Sequence, residues 1–185
     1  MADYKAIHGK NILHVASDLD NAEGEGQIWF NTTSSDYKTI TKVAGTWSTS
    51  HDVNTARKVS GSAGITTAAL IAGGFGPGGT VQALSEEFNG SAWAEGNNLQ
   101  GARRYGGGAG TQTAAISAGG NDPSPAKTAI SEEYDGTDWV EGNNLNTARE
   151  NIINAMAGTQ TAAILVGGEE EPGAGTLVET YDGTS

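Results

Sequence analysis

The sequence predicts an all-β protein made of about three repeated, four-stranded sheets behind a different N-terminal segment. Three observations support this prediction. The chain repeats itself with a period near 46 residues. Glycine accounts for 28 of the 185 residues without a collagen period, which indicates many tight turns. Asn-Gly and Asp-Gly dipeptides separate short strand-like segments, as they do in β-hairpins.

The repeat is visible as nearly identical text. The segment SEEFNGSAWAEGNNLQGAR at 85–103 returns as SEEYDGTDWVEGNNLNTAR at 131–149. Glycine pairs step by 46 and then 48 residues, at 73–74, 119–120 and 167–168. One tryptophan and one arginine also recur, as Trp47, Trp93, Trp139, Arg57, Arg103 and Arg149. A period of this length with a glycine pair and a tryptophan is typical of propeller blades and not of helical solenoids.

Each repeat divides into four predicted strands. In the second repeat these lie at 105–110, 113–118, 130–134 and from Trp139 onward. An Asp-Gly hairpin turn is predicted at 135–136, with both residues at positive φ. Small residues dominate the first two strands, as crowding near a propeller axis requires, and aromatic residues lie on the last two. We therefore expect Trp93 and Trp139 to be buried between neighbouring sheets.

The glycine pair and the aromatic residues after it resemble the kelch repeat. In that family Gly-Gly ends the second strand, and an aromatic residue and a tryptophan follow. The matching sets are Gly73-Gly74 with Phe88 and Trp93, Gly119-Gly120 with Tyr134 and Trp139, and Gly167-Gly168 with Tyr181. The resemblance covers 43–185 and implies kelch-like β-propeller blades. The residues before the glycine pair, as in LIAGG and ISAGG, are smaller than the family's, which implies different packing near the axis.

The number of blades is too small for a closed propeller. Residues 57–185 cover about 2.8 periods, whereas propellers have at least four blades. Either the chain is the N-terminal part of a longer protein, or KVAGTW at 42–47 supplies a missing strand and closes a small or dimeric ring. We favour the first interpretation, because an unclosed propeller has exposed strand edges. We therefore expect blades over 43–185 that are incomplete at the C-terminus.

Residues 1–42 form a separate segment, for which we predict attachment and oligomerisation. GQIWFN at 26–31 and YKTITKV at 37–43 are predicted to be the strands of a hairpin. The stretch AEGEGQIWFNTTSSDYKTI resembles the start of tail-fibre and appendage proteins of tailed bacteriophages. This resemblance implies docking on other virion proteins of the tail or baseplate. Because a lone hairpin is marginally stable, we expect a homo-oligomer with a subunit interface at Ile28, Trp29 and Phe30.

Charge and composition exclude several classes of partner. The net charge is −12, so nucleic acid and anionic membrane surfaces are not expected partners. No stretch is long and apolar enough for membrane insertion. The opening MADYKAIHGKNILHVASD lacks the apolar region of a signal peptide. With the phage resemblance, this predicts a virion protein that is assembled in the host cytoplasm.

The sequence predicts no catalytic residue, no cofactor and no metal. His8, His14 and His51 show no ligand spacing with one another. The pairs Glu86-Glu87 and Glu132-Glu133 recur at the same place in each repeat, which indicates a structural role and not a glycosidase site. Cysteine is absent, which excludes the Tyr–Cys crosslink implied by kelch-like copper oxidases. The recurring arginines are expected to donate hydrogen bonds between blades.

The loops between the second and third strands differ in sequence from repeat to repeat, whereas the strands around them are nearly identical. Such loops on one rim of a rigid scaffold are common sites of recognition. The candidate recognition residues are Phe75, Pro77, Gln82, Asn121, Asp122, Lys127, Glu169, Glu170 and Glu171. The sequence thus predicts a tail fibre or similar appendage whose rim loops bind a host surface, with a host-surface glycan as candidate ligand. The alternatives are a purely structural decoration or connector protein and a carbohydrate-active enzyme.

Overall fold

The structure is a computed structural model that describes residues 13–15, 28–39 and 45–184. The chain divides into two compact units, Met1–Thr49 and Ser50–Ser185. The first unit contains a three-stranded sheet of β1 (Leu13–Val15), β2 (Ile28–Asn31) and β3 (Asp36–Thr39). Strand β2 is central, parallel to β1 and antiparallel to β3. The predicted hairpin is therefore present, and a third strand that the sequence did not predict pairs with it.

The second unit consists of consecutive antiparallel sheets. The first repeat sheet contains β4 (Gly61–Ile65), β5 (Ala68–Ala72), β6 (Ser85–Phe88) and β7 (Trp93–Glu95). The second contains β8 (Gly107–Thr111), β9 (Ala114–Ala118), β10 (Ser131–Tyr134) and β11 (Trp139–Glu141). The third contains β12 (Met156–Thr159), β13 (Ala162–Val166) and β16 (Val178–Tyr181), and a small hairpin of β14 (Glu169–Glu170) and β15 (Gly173–Ala174) interrupts it.

The all-β prediction is confirmed, and the predicted four-stranded sheet is confirmed for the first and second repeats. In the described residues the only helical element is a single 3-10 turn at Pro77–Gly79, and none is long and apolar enough to cross a membrane. The recurring glycine pairs end the second strands, and Gly119 and Gly120 have φ values of 62° and 100°. Residues with side chains rarely adopt this conformation, which explains the glycine pair. The described sheets do not close into a propeller.

The predicted Asp-Gly turn differs from the observed one. Only Gly136 has a positive φ, and strand pairing resumes at Trp139, so the connection is longer than a two-residue type I′ turn. The Asp135 carboxylate instead accepts hydrogen bonds from the backbone N–H groups of Thr137 and Asp138, both at 2.8 Å. Aspartate stabilises such turns through its side chain and needs no left-handed conformation.

The first strands of consecutive sheets, β4, β8 and β12, pack side by side. A Cβ atom at Gly108 would lie 2.7 Å from the carbonyl oxygen of Ser62, so this close approach requires glycine. Trp139 is 5% exposed and packs between the first and second sheets, as predicted. The same prediction is wrong for Trp93, which is only half-buried and packs its ring on Phe88 of its own sheet. Its indole N–H donates to the carbonyl of His51 at 3.2 Å.

Each repeat sheet carries a buried arginine–glutamate ion pair. The pairs are Arg57–Glu86, Arg103–Glu132 and Arg149–Glu179. In the second sheet, Arg103 also donates to the Ile130 carbonyl at 2.8 Å. The Glu132 carboxylate accepts the backbone N–H groups of Gln100 and Gly101. The arginines thus bind carbonyls and glutamates as predicted, but each ties a linker to the sheet that follows it and not one blade to another.

Tyrosine and glutamine side chains join neighbouring sheets. The Tyr134 hydroxyl donates to the Glu87 carboxylate of the first sheet, and the Tyr181 hydroxyl repeats this contact with Glu133 of the second. The Gln112 amide donates to the Phe88 carbonyl at 2.7 Å, and Gln160 repeats it in the next sheet. Neighbouring glutamates on one strand therefore serve opposite faces, one for the ion pair and one for the adjacent sheet.

Replacing Glu132 with Gln tests the buried ion pair. The change leaves the Arg103 guanidinium buried without its counter-charge, which should lower the free energy of unfolding by about 3–5 kcal/mol. Urea denaturation measures this difference. The control is Glu95→Gln on exposed strand β7, which should change stability by less than about 0.5 kcal/mol. Equal stability of the two variants would contradict a central role for the ion pair.

Alkaline pH tests the contacts between sheets. Burial, followed by the hydrogen bond to Glu133 and its negative charge, raises the pKa of Tyr181 to about 12. Because the folded pKa lies above the ordinary value near 10, the stabilisation is complete below pH 10 and is lost as the pH rises towards 12. Tyr181→Phe should therefore weaken the fall in unfolding free energy over this range. Val140→Ala, which removes an exposed side chain that does not titrate, should leave the pH profile as in the unmodified chain.

Candidate functional site

The loops between the second and third strands form one rim of the repeat sheets. The first residue of each loop forms a β-bridge with the residue that follows the recurring arginine. These bridges are Lys58–Phe75, Arg104–Asn121 and Glu150–Glu169. For the second loop these backbone hydrogen bonds measure 3.0 and 2.7 Å. Because the ion pair fixes the arginine and the glycine pair fixes the loop start, each loop begins at an equivalent place. The rim therefore presents variable loops on a regular base.

One end of the rim combines an aromatic ring with two cations. Arg104 and Lys58 lie over the Phe75 ring at 4.7 and 5.5 Å from its centroid. Among the described residues neither cation forms an ion pair. The Arg104 Nε and Gln82 Oε1 atoms are buried and have no hydrogen-bond partner in the described part of the chain. This end is locally basic in an acidic protein and holds polar atoms that a ligand could satisfy.

The opposite end of the rim is acidic and joins two loops. The Lys127 ammonium contacts the Glu169 and Glu171 carboxylates at 3.4 and 2.9 Å and donates to the Glu170 carbonyl. The hydrogen bond to Glu171 is the main cause of a raised Lys127 pKa. An open cleft of about 540 Å³ lies here, lined by residues of both loops together with Thr147, Ala148 and Glu150. Lys127 thus positions the third loop and neutralises part of its charge.

The predicted recognition residues have different environments. Pro77 and Glu171 are exposed, whereas Phe75 and Gln82 are half-buried. Asn121 is 2% exposed and its amide donates to the Pro125 carbonyl, so it shapes the second loop from within. The Asp122 carboxylate accepts the N–H groups of Ser124 and Ala126 and stabilises the same loop.

The predicted interface strand lies in the first unit. Trp29 is 2% exposed, so the chain itself covers this side chain. Ile28 is 61% exposed, and Phe30 is half-buried with its ring 5.1 Å from that of Tyr37. Of the three residues predicted to meet a partner, Ile28 is the one that is exposed. The interface itself stays a prediction.

Carboxylates that could suggest chemistry are occupied by structural contacts. Glu86 and Glu132 belong to the buried ion pairs, and Glu87 and Glu133 accept tyrosine hydroxyls. In the described residues no group of three His, Asp or Glu side chains is arranged to hold a metal. These four carboxylates therefore have structural partners within the repeat sheets.

Sequence reasoning missed the residues that join the sheets. Tyr134, Tyr181, Gln112 and Gln160 recur with the repeat, but aromatic and amide side chains on strands are also common in cores. The signal that could have identified them is that each tyrosine occurs one repeat after a second glutamate. Phe88, which has no hydroxyl, occurs in the first repeat.

Comparisons with known proteins give no identification. No protein-family model matches this chain, and no curated protein matches it. The assignment of the repeat sheets and the rim therefore depends on the sequence and the structure alone.

Replacing Lys127 with Met tests how the third loop is held. Loss of this solvent-accessible ion pair should speed amide hydrogen exchange at Glu169–Ala174 about two- to fivefold, with little change in global stability. Mass-spectrometric hydrogen exchange provides the measurement. Lys58→Met removes a cation at the other end of the rim and should leave exchange at 169–174 unchanged. Unchanged exchange in both variants would show that Lys127 does not position the loop.

Proposed function

We propose that this chain is a non-enzymatic binding protein whose rim loops contact a host surface, as part of a phage tail fibre or similar virion appendage. The observation that carries the proposal is the contrast between a nearly invariant scaffold and freely differing loops. The ion pairs, glycine pairs and linkers repeat from sheet to sheet, while the loop sequences and their charges do not. Variation confined to one rim is typical of recognition on a rigid support.

The finer architecture belongs to the same proposal. The glycine pairs recur in all three repeats, and the strand order and the tryptophan of the first two sheets, with Trp93 and Trp139, resemble those of kelch-like propeller blades. Packing of their first strands against one another agrees with an arrangement around an axis. The virion assignment rests on the resemblance of 22–40 to phage appendage proteins. On this proposal the first unit docks on other virion proteins through the exposed side chain of Ile28.

The basic end of the rim favours an acidic glycan as the ligand. The half-buried Phe75 ring lies against Arg104 and Lys58, and these two cations offer charge for a carboxylate. The unpartnered Arg104 Nε and Gln82 Oε1 atoms can donate to and accept from hydroxyl groups. Affinity per site would be modest, and many copies on one virion would supply strength.

The test is binding of the full chain to an array of acidic and neutral bacterial surface polysaccharides. We expect retention on acidic polysaccharides and a loss of at least about tenfold in affinity for Arg104→Met and for Phe75→Ala, each removing a principal contact. Val140→Ala, which removes an exposed side chain on strand β11 and not on a rim loop, is the matched control. Binding that is equal in all variants would overturn the rim as the recognition surface.

A second candidate function is supported by the first unit. The exposed Ile28 and Tyr37 side chains suit a connector that contacts only other virion subunits. If the chain joins particles but binds no polysaccharide and no host cell, the connector function replaces adhesion. Ile28→Ser should reduce incorporation into particles in either case, whereas Arg104→Met should affect host binding alone.

A further inference from the structure

The turn between the third and fourth strands of the first repeat sheet contains Asn89 and Gly90. It is the one place in the sequence where glycine follows asparagine. Both residues are exposed, and Gly90 has a φ of 91°. Because glycine has no Cβ atom, its backbone nitrogen can approach the side-chain amide of the residue before it without steric hindrance. Asn89 is therefore the asparagine of this chain whose amide is most open to attack by the backbone.

Two hydrogen bonds hold the Asn89 side chain over the backbone of its own turn. The amide oxygen Oδ1 accepts from the N–H groups of Ser91 and Ala92, at 2.9 and 3.0 Å. Since Gly90 lies between Asn89 and Ser91, these bonds keep the amide carbon Cγ near the Gly90 nitrogen. Attack at Cγ would place negative charge on Oδ1, where two donors already point. Backbone N–H groups at this distance stabilise the tetrahedral intermediates of acyl transfer.

The equivalent turns of the other two repeats contain the acid instead of the amide. Asp135 and Asp182 occupy the position of Asn89, and each is also followed by glycine. The Asp135 carboxylate accepts the N–H groups of Asp138 and Thr137, which lower its pKa. The turn geometry thus accommodates a carboxylate and stabilises its charged form. Only the first repeat has an amide that could be converted into this group.

We propose that Asn89 is a site of spontaneous deamidation in the folded chain, promoted by its own turn. The Gly90 nitrogen loses its proton to solvent base and forms a bond to Cγ, and the Oδ1 oxyanion is held by the Ser91 and Ala92 N–H groups. The bond from Cγ to the amide nitrogen then breaks, and that nitrogen takes up a proton and leaves as ammonia. The product is a five-membered succinimide that contains the Gly90 nitrogen.

Water opens the succinimide at either of its two carbonyl carbons. Hydrolysis at Cγ restores the normal backbone and leaves an aspartate at position 89. Hydrolysis at the backbone carbonyl carbon leaves an isoaspartate, in which the main chain continues through Cγ and is one methylene longer. Both products add one negative charge. The inference concerns a covalent modification and does not depend on rim binding.

The two products should differ in their effect on the first sheet. Aspartate can accept the same two N–H groups as Asn89, as Asp135 does in the second sheet. Isoaspartate lengthens the main chain directly after Phe88, which pairs with Trp93 across the turn. The Phe88 carbonyl also accepts the Gln112 amide of the second sheet at 2.7 Å. Isoaspartate should therefore loosen both the end of this hairpin and its contact with the neighbouring sheet.

Peptide mass spectrometry of the full chain, kept folded at mildly alkaline pH, tests the proposal. Asn98 is the internal control, because it is also exposed but is followed by Leu99, whose side chain hinders attack. We expect deamidation at Asn89 to be at least about tenfold faster than at Asn98. The rate should rise with pH, since the Gly90 nitrogen attacks after losing its proton. Fragmentation of the product peptides should reveal both aspartate and isoaspartate.

Two variants separate the chemistry from the fold. Gly90→Ala adds a Cβ atom beside the attacking nitrogen and should slow deamidation at Asn89 at least about tenfold. Because alanine is strained at a φ of 91°, circular dichroism must show that this variant is folded. Asn89→Asp supplies the normal product directly and should keep the urea midpoint of the unmodified chain. Aged samples rich in isoaspartate should show faster amide hydrogen exchange at 85–95 than Asn89→Asp.

Three outcomes would overturn the proposal. Equal rates at Asn89 and Asn98 would show that the turn gives the amide no special reactivity. Deamidation that begins only after unfolding in urea would show that the turn protects Asn89. Formation of aspartate without isoaspartate would mean direct hydrolysis by water and exclude attack by the Gly90 nitrogen. Arg104→Met, which tests the rim, should leave the rate at Asn89 unchanged, so that the two proposals fail independently.

Discussion

The buried ion pair between a linker arginine and a third-strand glutamate is the contact on which the rest of each repeat depends. The linker that enters a sheet has no ladder of its own, so its backbone polar groups need partners from elsewhere. The Glu132 carboxylate satisfies two linker N–H groups, and the Arg103 guanidinium reaches carbonyl oxygens of the linker and the sheet. The β-bridge that starts each variable loop is formed by the residue after this arginine. The ion pair therefore also determines where the loop begins.

Cohesion between sheets has a separate chemical basis. Apolar side chains pack in one cluster on each side of the second sheet. The tyrosine hydroxyls and glutamine amides add direction, because each finds its acceptor only when two sheets are correctly aligned. Stability in such an array is the sum of each sheet and its contacts with immediate neighbours. Loss of one contact between two sheets therefore weakens that interface and leaves the strand pairing within each sheet intact.

Much of this fold could be predicted because its signals are local. The strands, the glycine pairs and the burial of Trp139 follow from a repeated text whose turn residues have strict backbone requirements. The Asp135 turn was mispredicted because a side-chain hydrogen bond replaced the backbone conformation that the dipeptide suggests. The sequence did not predict strand β1, the burial of Asn121 or the hydrogen bond of Tyr134. These features depend on tertiary contacts, which the local sequence pattern does not contain. Trp93 differs from Trp139 only through its neighbours, although both occupy the same repeat position.

The matched tyrosine and glutamate positions also bear on how the gene can change. A duplicated copy of the middle repeat would bring its own Tyr134, Gln112 and Glu133, and both of its faces would find the groups they need in the existing sheets. Duplication of the first or third repeat would instead bring Phe88 or Thr180 into the interior, where a carboxylate or a hydroxyl would lack its partner. Recombination between near-identical segments can therefore lengthen or shorten the array by whole copies of the middle repeat.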